Sequence, residues 1–107
     1  GHYNKSNHYT KVSLDKATVS CTCFEDCVFR DCRFRKMAEC SMLAVNCVFE
    51  RCDFSNTLFG WCQLVNVQFK NCVFRKARFN RQGVYQNCGF VECKIKELGG
   101  EGFLPEG

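Results

Sequence analysis

Apolar side chains recur at every fifth position along most of this chain. Residues 12–97 divide into seventeen pentads, with one extra residue after Gln86, and sixteen of the seventeen central positions are apolar. Ten of the eleven phenylalanines occupy these centres. The position two residues before each centre is also biased, because it holds eight of the eleven cysteines. The other three positions hold nearly all of the charged side chains and asparagines.

A period of five residues suits neither an α-helix nor a straight β-strand. On a helix the apolar positions would spread around the circumference, and along a strand they would alternate between the two faces. The pattern is satisfied if the chain turns a corner every five residues, so that one large and one small side chain per pentad point inward. Four corners close a square coil of about twenty residues, and stacked coils pair as parallel strands about 4.8 Å apart. We therefore expect an all-β solenoid of about four coils.

Stacking of the coils predicts which side chains touch, because residues twenty apart share a column. Burial of one phenylalanine contributes about 1.5–3 kcal/mol, so columns of rings are expected to dominate the stability. The predicted large columns are Phe29, Phe49, Phe69 and Phe90, and Phe34, Phe54, Phe74 and Ile95. The predicted small column is Cys32, Cys52, Cys72 and Cys93.

The cysteine spacing favours a packing role over metal binding. The sequence has no C-x-x-C pair, and both histidines lie near its start, so a zinc finger or ribbon is not expected. Inward cysteines behave as small hydrophobic residues, and parallel Cβ directions are poor disulfide geometry. Many free thiols favour a reducing compartment and hence a cytoplasmic protein. Cys21, Cys23 and Cys40 fall in outward positions and are expected to be the reactive ones.

The repeat resembles the pentapeptide-repeat family. The runs FEDCVF at residues 24–29 and FKNCVF at residues 69–74 carry the resemblance, with Phe and Cys as a bulkier variant of the Leu and Ala that the family often uses. The resemblance implies a right-handed quadrilateral parallel β-helix over residues 12–97. Residues 1–11 are then expected to be a flexible polar leader. Residues 98–107 are expected to be a tail that caps the open end of the solenoid.

Two places break the repeat. Glu39 occupies an inward position, and because burial of a lone carboxylate is costly, we expect a bulge that releases it to water. The neighbouring Met37, Cys40, Met42 and Leu43 would then fill the gap. The second break is the extra residue assigned to Asn87, which would widen one corner and leave Val84 inward and Tyr85 outward.

Composition and motifs argue against an enzyme and a membrane span. The 107 residues carry a net charge of +4 and contain no stretch of about 20 apolar residues. The chain shows no glycine-rich phosphate loop, no nucleophile elbow and no histidine placed beside a nucleophile. We therefore predict no catalytic residue, no cofactor, no metal site and no membrane insertion.

Two outward surfaces remain as candidates for binding. One is basic and would suit an anionic partner, although aromatic side chains that could stack on bases point inward, so nucleic-acid binding is not supported. The other is apolar and would suit a protein partner. The predicted basic residues are Arg33, Arg35, Lys36, Arg75, Lys76, Lys94 and Lys96. The predicted apolar residues are Leu43, Val45, Trp61, Val65 and Tyr85.

Three functional hypotheses follow from these surfaces and from the resemblance. The first is a non-enzymatic interaction or scaffold module that binds another protein, with a homodimer through one end or through the apolar residues as a variant. The second, implied by the resemblance, is a protein that binds and protects DNA gyrase or topoisomerase IV. The third is an extracellular or luminal receptor domain, because residues 24–74 resemble the luminal domain of synaptic-vesicle glycoproteins.

Overall fold

The computed structural model describes residues 2–80 and 82–97, and within these ranges every regular element is a β-strand. Most strands are three residues long, as expected for a chain that turns a corner at each pentad. The strands are β1 (Tyr3–Lys5), β2 (His8–Thr10), β3 (Thr18–Glu25), β4 (Val28–Arg30), β5 (Glu39–Val45), β6 (Val48–Glu50), β7 (Leu58–Phe59), β8 (Gln63–Val65), β9 (Gln68–Lys70), β10 (Val73–Arg75), β11 (Arg78–Phe79), β12 (Val84–Gln86), β13 (Gly89–Val91) and β14 (Lys94–Lys96).

Parallel pairing between successive coils confirms the solenoid. Phe29 lies opposite Phe49, and Phe49 lies opposite Phe69, so the register advances by twenty residues per coil. One sheet runs in the order β13-β9-β6-β4-β2, and a second contains β1, β3, β5, β7, β8, β11 and β12. The remaining face of the solenoid is closed by single bridges and by β10 paired with β14. The all-β quadrilateral fold is therefore as predicted.

The solenoid begins earlier than the sequence pattern indicated. In residues 2–11, expected to be a polar leader, β1 pairs with β3 and β2 pairs with β4. The central positions of this first coil include Asn4 and Tyr9, whose polar groups hid the pentad pattern. The Asn4 side-chain amide donates a hydrogen bond of 3.3 Å to the Cys23 carbonyl, which satisfies part of its polarity. The predicted capping tail, residues 98–107, lies outside the described residues.

Stacked phenylalanine rings fill the interior. The ring centroids of Phe29 and Phe49 are 4.6 Å apart and nearly parallel, and those of Phe54 and Phe74 are 5.1 Å apart. Rings on adjacent faces meet edge to face, as between Phe49 and Phe54 at 5.5 Å. Both arrangements suit the quadrupole of an aromatic ring and add about 0.5–1.5 kcal/mol per pair to the burial of its surface.

The cysteine column fits between these rings and the backbone. The Sγ of Cys52 lies 3.5 Å from the Phe29 carbonyl oxygen, and that of Cys72 lies 3.2 Å from the Phe49 carbonyl oxygen. Each thiol thus donates a weak hydrogen bond to the preceding coil while filling a small apolar volume. All eleven cysteines are free. Cys40, expected to be outward, is buried; Cys21 is exposed and Cys23 is partly exposed.

Most corners place one residue in the left-handed region, with φ between 52° and 61°. Asparagine tolerates this conformation better than most residues, and it occupies one corner in three successive coils. There the Asn66 amide donates to Asn46 at 3.1 Å, and the Asn87 amide donates to Asn66 at 2.6 Å. This asparagine ladder ties the corners of adjacent coils together.

The predicted bulge around Glu39 is present. The pairing shifts by one residue before Glu39 and shifts back before Leu43, so that Glu39 pairs with Thr18 at an outward position and Cys40 takes the inward place beside Phe59. Met37 and Met42 are buried in the core as expected, and Glu39 is exposed. Thr57 lies two residues before the central Phe59, in the small inward position that holds cysteine in many other pentads. Its hydroxyl accepts a hydrogen bond of 3.2 Å from the Met37 backbone N–H and donates to the Phe34 carbonyl.

The second irregularity lies before Val84, so its predicted position after Gln86 is wrong. Val84 pairs with Gln63 and is exposed, whereas Tyr85 pairs with Leu64 and points inward. The extra residue therefore falls within residues 80–83. Asn87 is an ordinary corner residue in the asparagine ladder.

The hydroxyl of Thr57 yields a test of the bulge. Thr57→Val keeps the shape but leaves the buried Met37 N–H without its side-chain acceptor, which is expected to lower the free energy of unfolding by about 1–3 kcal/mol. Thr57→Ser retains the hydroxyl and should cost less than half as much. Urea denaturation of the two variants measures the difference. Equal losses would show that the hydroxyl does not support the bulge.

Candidate functional site

The outward side chains of each face form columns, and the faces differ in chemistry. On the face built from β2, β4, β6, β9 and β13, opposite charges alternate between coils. Arg30 Nε lies 3.0 Å from Glu50 Oε1, and at the next corner Arg51 Nε lies 2.8 Å from Asp31 Oδ1. Charge on this face is therefore largely compensated within the chain.

An uncharged surface lies on the face that contains β8. Leu43 lies between Cys23 and Gln63, and Val45 lies beside Val65 in the next coil. From Leu43 onward the outward residues of this face carry no charge: Leu43, Val45, Gln63, Val65, Val84 and Gln86. A quarter of the whole chain is charged, so a strip without charge over three coils is a distinct feature.

Trp61 stands at the corner beside this strip and is 62% exposed. It lines a shallow depression of about 290 Å³ together with Leu43, Met42 and Cys23. We call Leu43, Val45, Trp61 and Val65 the apolar surface. These four of the five residues predicted from the sequence lie on this side of the solenoid.

Tyr85, the fifth predicted residue, does not lie on the apolar surface. Its ring packs edge to face against Phe79, and its hydroxyl donates a hydrogen bond of 2.7 Å to the Asn80 carbonyl. Burial raises the pKa of this hydroxyl above its usual range. Gly83 makes room for the ring, because a Cβ there would lie 2.4 Å from the tyrosine oxygen.

The basic residues lie together on the face that contains β10 and β14 and on the corner that follows it. The bridges Ser13–Arg33, Arg33–Asp53 and Asp53–Val73 and the pair Val73–Lys94 define its first column. This basic face holds eight basic and three acidic residues, so its excess of positive charge is larger than the +4 of the whole chain. The residues are Lys16, Arg33, Arg35, Lys36, Arg75, Lys76, Lys94 and Lys96, with Asp15, Asp53 and Glu97.

An open groove of about 610 Å³ runs along the basic face. Of the predicted residues, Arg35, Lys36 and Arg75 line it, whereas Arg33, Lys76, Lys94 and Lys96 lie outside its lining. Sequence reasoning missed Asp15 and Lys16, which also line the groove. The signal was present, since each lies twenty residues before a predicted basic residue and therefore in its column.

Asp15 holds Arg35 in place at one end of the groove. Its Oδ2 lies 2.6 Å from Arg35 Nη2, and its Oδ1 accepts a hydrogen bond of 2.8 Å from the Arg35 backbone N–H. Arg33 approaches the same carboxylate at 3.8 Å. The hydrogen bonds and charge of Arg35 lower the pKa of Asp15 to about 2.

Two properties of the cysteines and acidic side chains bear on metal binding and thiol chemistry. Among residues 2–80 and 82–97, no group of three or more His, Cys, Asp or Glu is placed to hold a metal ion. Burial raises the pKa of Cys47 to about 11, so this thiol stays protonated near neutral pH and is a poor nucleophile. Within the same ranges no helix has the length and apolar character needed to cross a membrane.

Comparison with known proteins identifies the repeat. The family model described as pentapeptide repeats matches residues 52–81. No curated protein matches the sequence. Among solved structures, full-length QnrB1, a plasmid-mediated fluoroquinolone resistance protein, is similar with a TM-score of 0.38 and 15% identity. The alignment covers 78% of this chain but only 48% of QnrB1, so this chain spans about half of that protein.

Protonation of Asp15 provides a test of the ion pair with Arg35. Because the folded state lowers the pKa of Asp15 from 3.8 to about 2, the pair stabilises the fold above pH 4 and its contribution is lost as the pH falls toward 2. Asp15→Asn should therefore lower the free energy of unfolding by roughly 1 kcal/mol at pH 5, since the pair is partly solvated, and by much less at pH 2. Denaturation at both pH values, with Asp26→Asn as the control at another corner, measures this. A loss that is the same at both pH values would contradict the assignment.

Proposed function

Because residues 52–81 match the pentapeptide-repeat family and the chain folds as a solenoid of such repeats, we propose that it is a non-enzymatic interaction module and that a partner protein docks on the apolar surface. The exposure of Trp61 next to a strip without charge is the observation that supports this most strongly. Tryptophan is enriched among the residues that dominate binding energy at protein interfaces.

The fold supports this proposal by holding the surface rigid. Val45 and Val65 are fixed to adjacent strands by backbone pairing, and the buried side chains of Ala44 and Leu64 pack directly beneath the face. A preorganised surface loses little conformational entropy when it binds, so a small area can give useful affinity. The matching partner surface is apolar with neutral surroundings, because a charged group would be desolvated here without a counter-ion.

The alternative of topoisomerase protection is less well supported by charge. A protein that imitates duplex DNA needs a negative surface, whereas the basic face carries an excess of positive charge. The luminal receptor alternative is also less well supported, because an oxidising compartment favours disulfides and all eleven cysteines here are free. We therefore retain the interaction module as the first proposal.

Truncation of Trp61 tests the proposal. Trp61→Ala should weaken the partner complex at least about tenfold, because central aromatic residues at interfaces are worth about 2 kcal/mol or more. The matched control is Val91→Ala, which removes another exposed apolar side chain from a different face. Partners recovered with the wild-type protein and Val91→Ala but lost with Trp61→Ala would be purified, and their affinity measured by calorimetry.

Two outcomes would contradict the proposal that a partner protein docks on the apolar surface. One is a purified partner that binds wild type and Trp61→Ala with equal affinity. The other is sedimentation showing that wild type forms a dimer which Trp61→Ala dissolves, which would assign the surface to self-association. Near-identical thermal unfolding of the variants is needed for either comparison, and it is expected because Trp61 lies outside the core.

A further inference from the structure

Two pairs of like charges stack on the basic face. Lys16 and Lys36 occupy the same corner in successive coils, about 4.8 Å apart along the axis, and Arg75 lies directly opposite Lys96. Like charges opposite one another across strands are destabilising. The preceding corner avoids this cost by alternating Asp31 with Arg51. The basic face therefore carries a repulsion that an anionic ligand would relieve.

The cations in the groove are available to such a ligand. Arg35 is engaged by Asp15, but within residues 2–80 and 82–97 no salt bridge involves Lys16, Lys36 or Arg75. Lys16, Lys36 and Arg75 are all exposed. The groove extends from the coil of Asp15 to the coil of Arg75, about 14 Å at the spacing of parallel strands. Its shape suits a narrow linear chain.

The groove also contains neutral and acidic groups that accept hydrogen bonds. Asp53 Oδ1 accepts bonds from the Ser55 backbone N–H at 2.9 Å and from its hydroxyl at 2.5 Å. Asp53 Oδ2 accepts no hydrogen bond from the described residues, and Asn56 supplies an amide at the same level. A carboxylate here can accept a hydrogen bond from a sugar hydroxyl, a donor that the backbone of duplex DNA lacks.

From this combination we infer that the groove binds a sulfated linear polysaccharide. Sulfate groups would contact Lys16, Lys36 and Arg75, and sugar hydroxyls would donate to Asp53. Lys16 and Lys36 lie on adjacent coils about 4.8 Å apart, which is closer than the carboxylates of a chain that carries one carboxylate per two sugars. The outward side chains of this face include no aromatic ring among the described residues, so it lacks the stacking platform that single-stranded nucleic acids use. This inference is independent of the apolar surface, which lies on a different face.

Binding of a fluorescent heparin octasaccharide tests the inference. Lys36→Gln/Arg75→Gln should weaken binding at least about tenfold and lower the salt dependence by about two released ions. The matched control, Lys70→Gln/Arg78→Gln, removes the same charge from other faces and should change the affinity less than about twofold. Thermal unfolding of both double variants checks that they remain folded.

Asp53→Ala separates recognition of sugar from general attraction. Loss of the Asp53 carboxylate makes the groove more positive, so an anion held by charge alone would bind more tightly. A sugar hydroxyl, in contrast, would lose its hydrogen-bond acceptor. We expect heparin binding to weaken about fivefold and binding of a short DNA duplex to strengthen. Absence of heparin binding, equal effects of the two double variants, or duplex or hyaluronan affinity equal to that of heparin would each overturn the inference.

Discussion

Stacking of aromatic rings at the spacing of parallel strands is the interaction on which this structure depends. Backbone pairing sets the coils about 4.8 Å apart, and the ring centroids of Phe29, Phe49 and Phe69 follow at 4.6 and 5.2 Å. That distance lies within the range at which parallel rings attract each other. Backbone hydrogen bonds and side-chain packing thus require the same repeat, and the small cysteine position lets the chain turn closely around each ring.

Because two positions of each pentad supply the core, the outward positions are free to vary from face to face. One face pairs its charges, one is without charge in its last three coils, and one accumulates positive charge. Each coil contacts only its neighbours, so a surface on one face places few demands on another. This independence explains how a short chain presents two chemically distinct surfaces on one rigid support.

Most of the fold could be predicted from the sequence because a period of five has few physical solutions. Glu39 was recognisable as a break since a carboxylate is costly inside, and the structure shifts the pairing by one residue next to it. The position of the extra residue before Val84 could not be predicted from polarity, because Val84 and Tyr85 are both apolar enough to face inward. Their assignment depends on Gly83, whose missing Cβ leaves space for the tyrosine ring.

The first coil and the groove were harder to predict. The first coil was missed because Asn4 and Tyr9 carry polar groups at central positions, where the rest of the repeat is apolar. Columns twenty residues apart located most of the basic face but not the groove, whose lining also includes Asp15 and Lys16. The spacing did hold the signal for both residues, because each lies twenty residues before a predicted basic residue.

Nuclear Overhauser contacts between the phenylalanine rings test the stacked columns most directly. In protein labelled so that individual rings are resolved, Phe29 should show contacts to Phe49, and Phe49 to Phe69, because their centroids lie 4.6 and 5.2 Å apart. Phe29 and Phe69, two coils apart, should show none. Strong contacts between Phe29 and Phe69, or none between residues twenty apart, would contradict the square solenoid and the assignment of its outward surfaces.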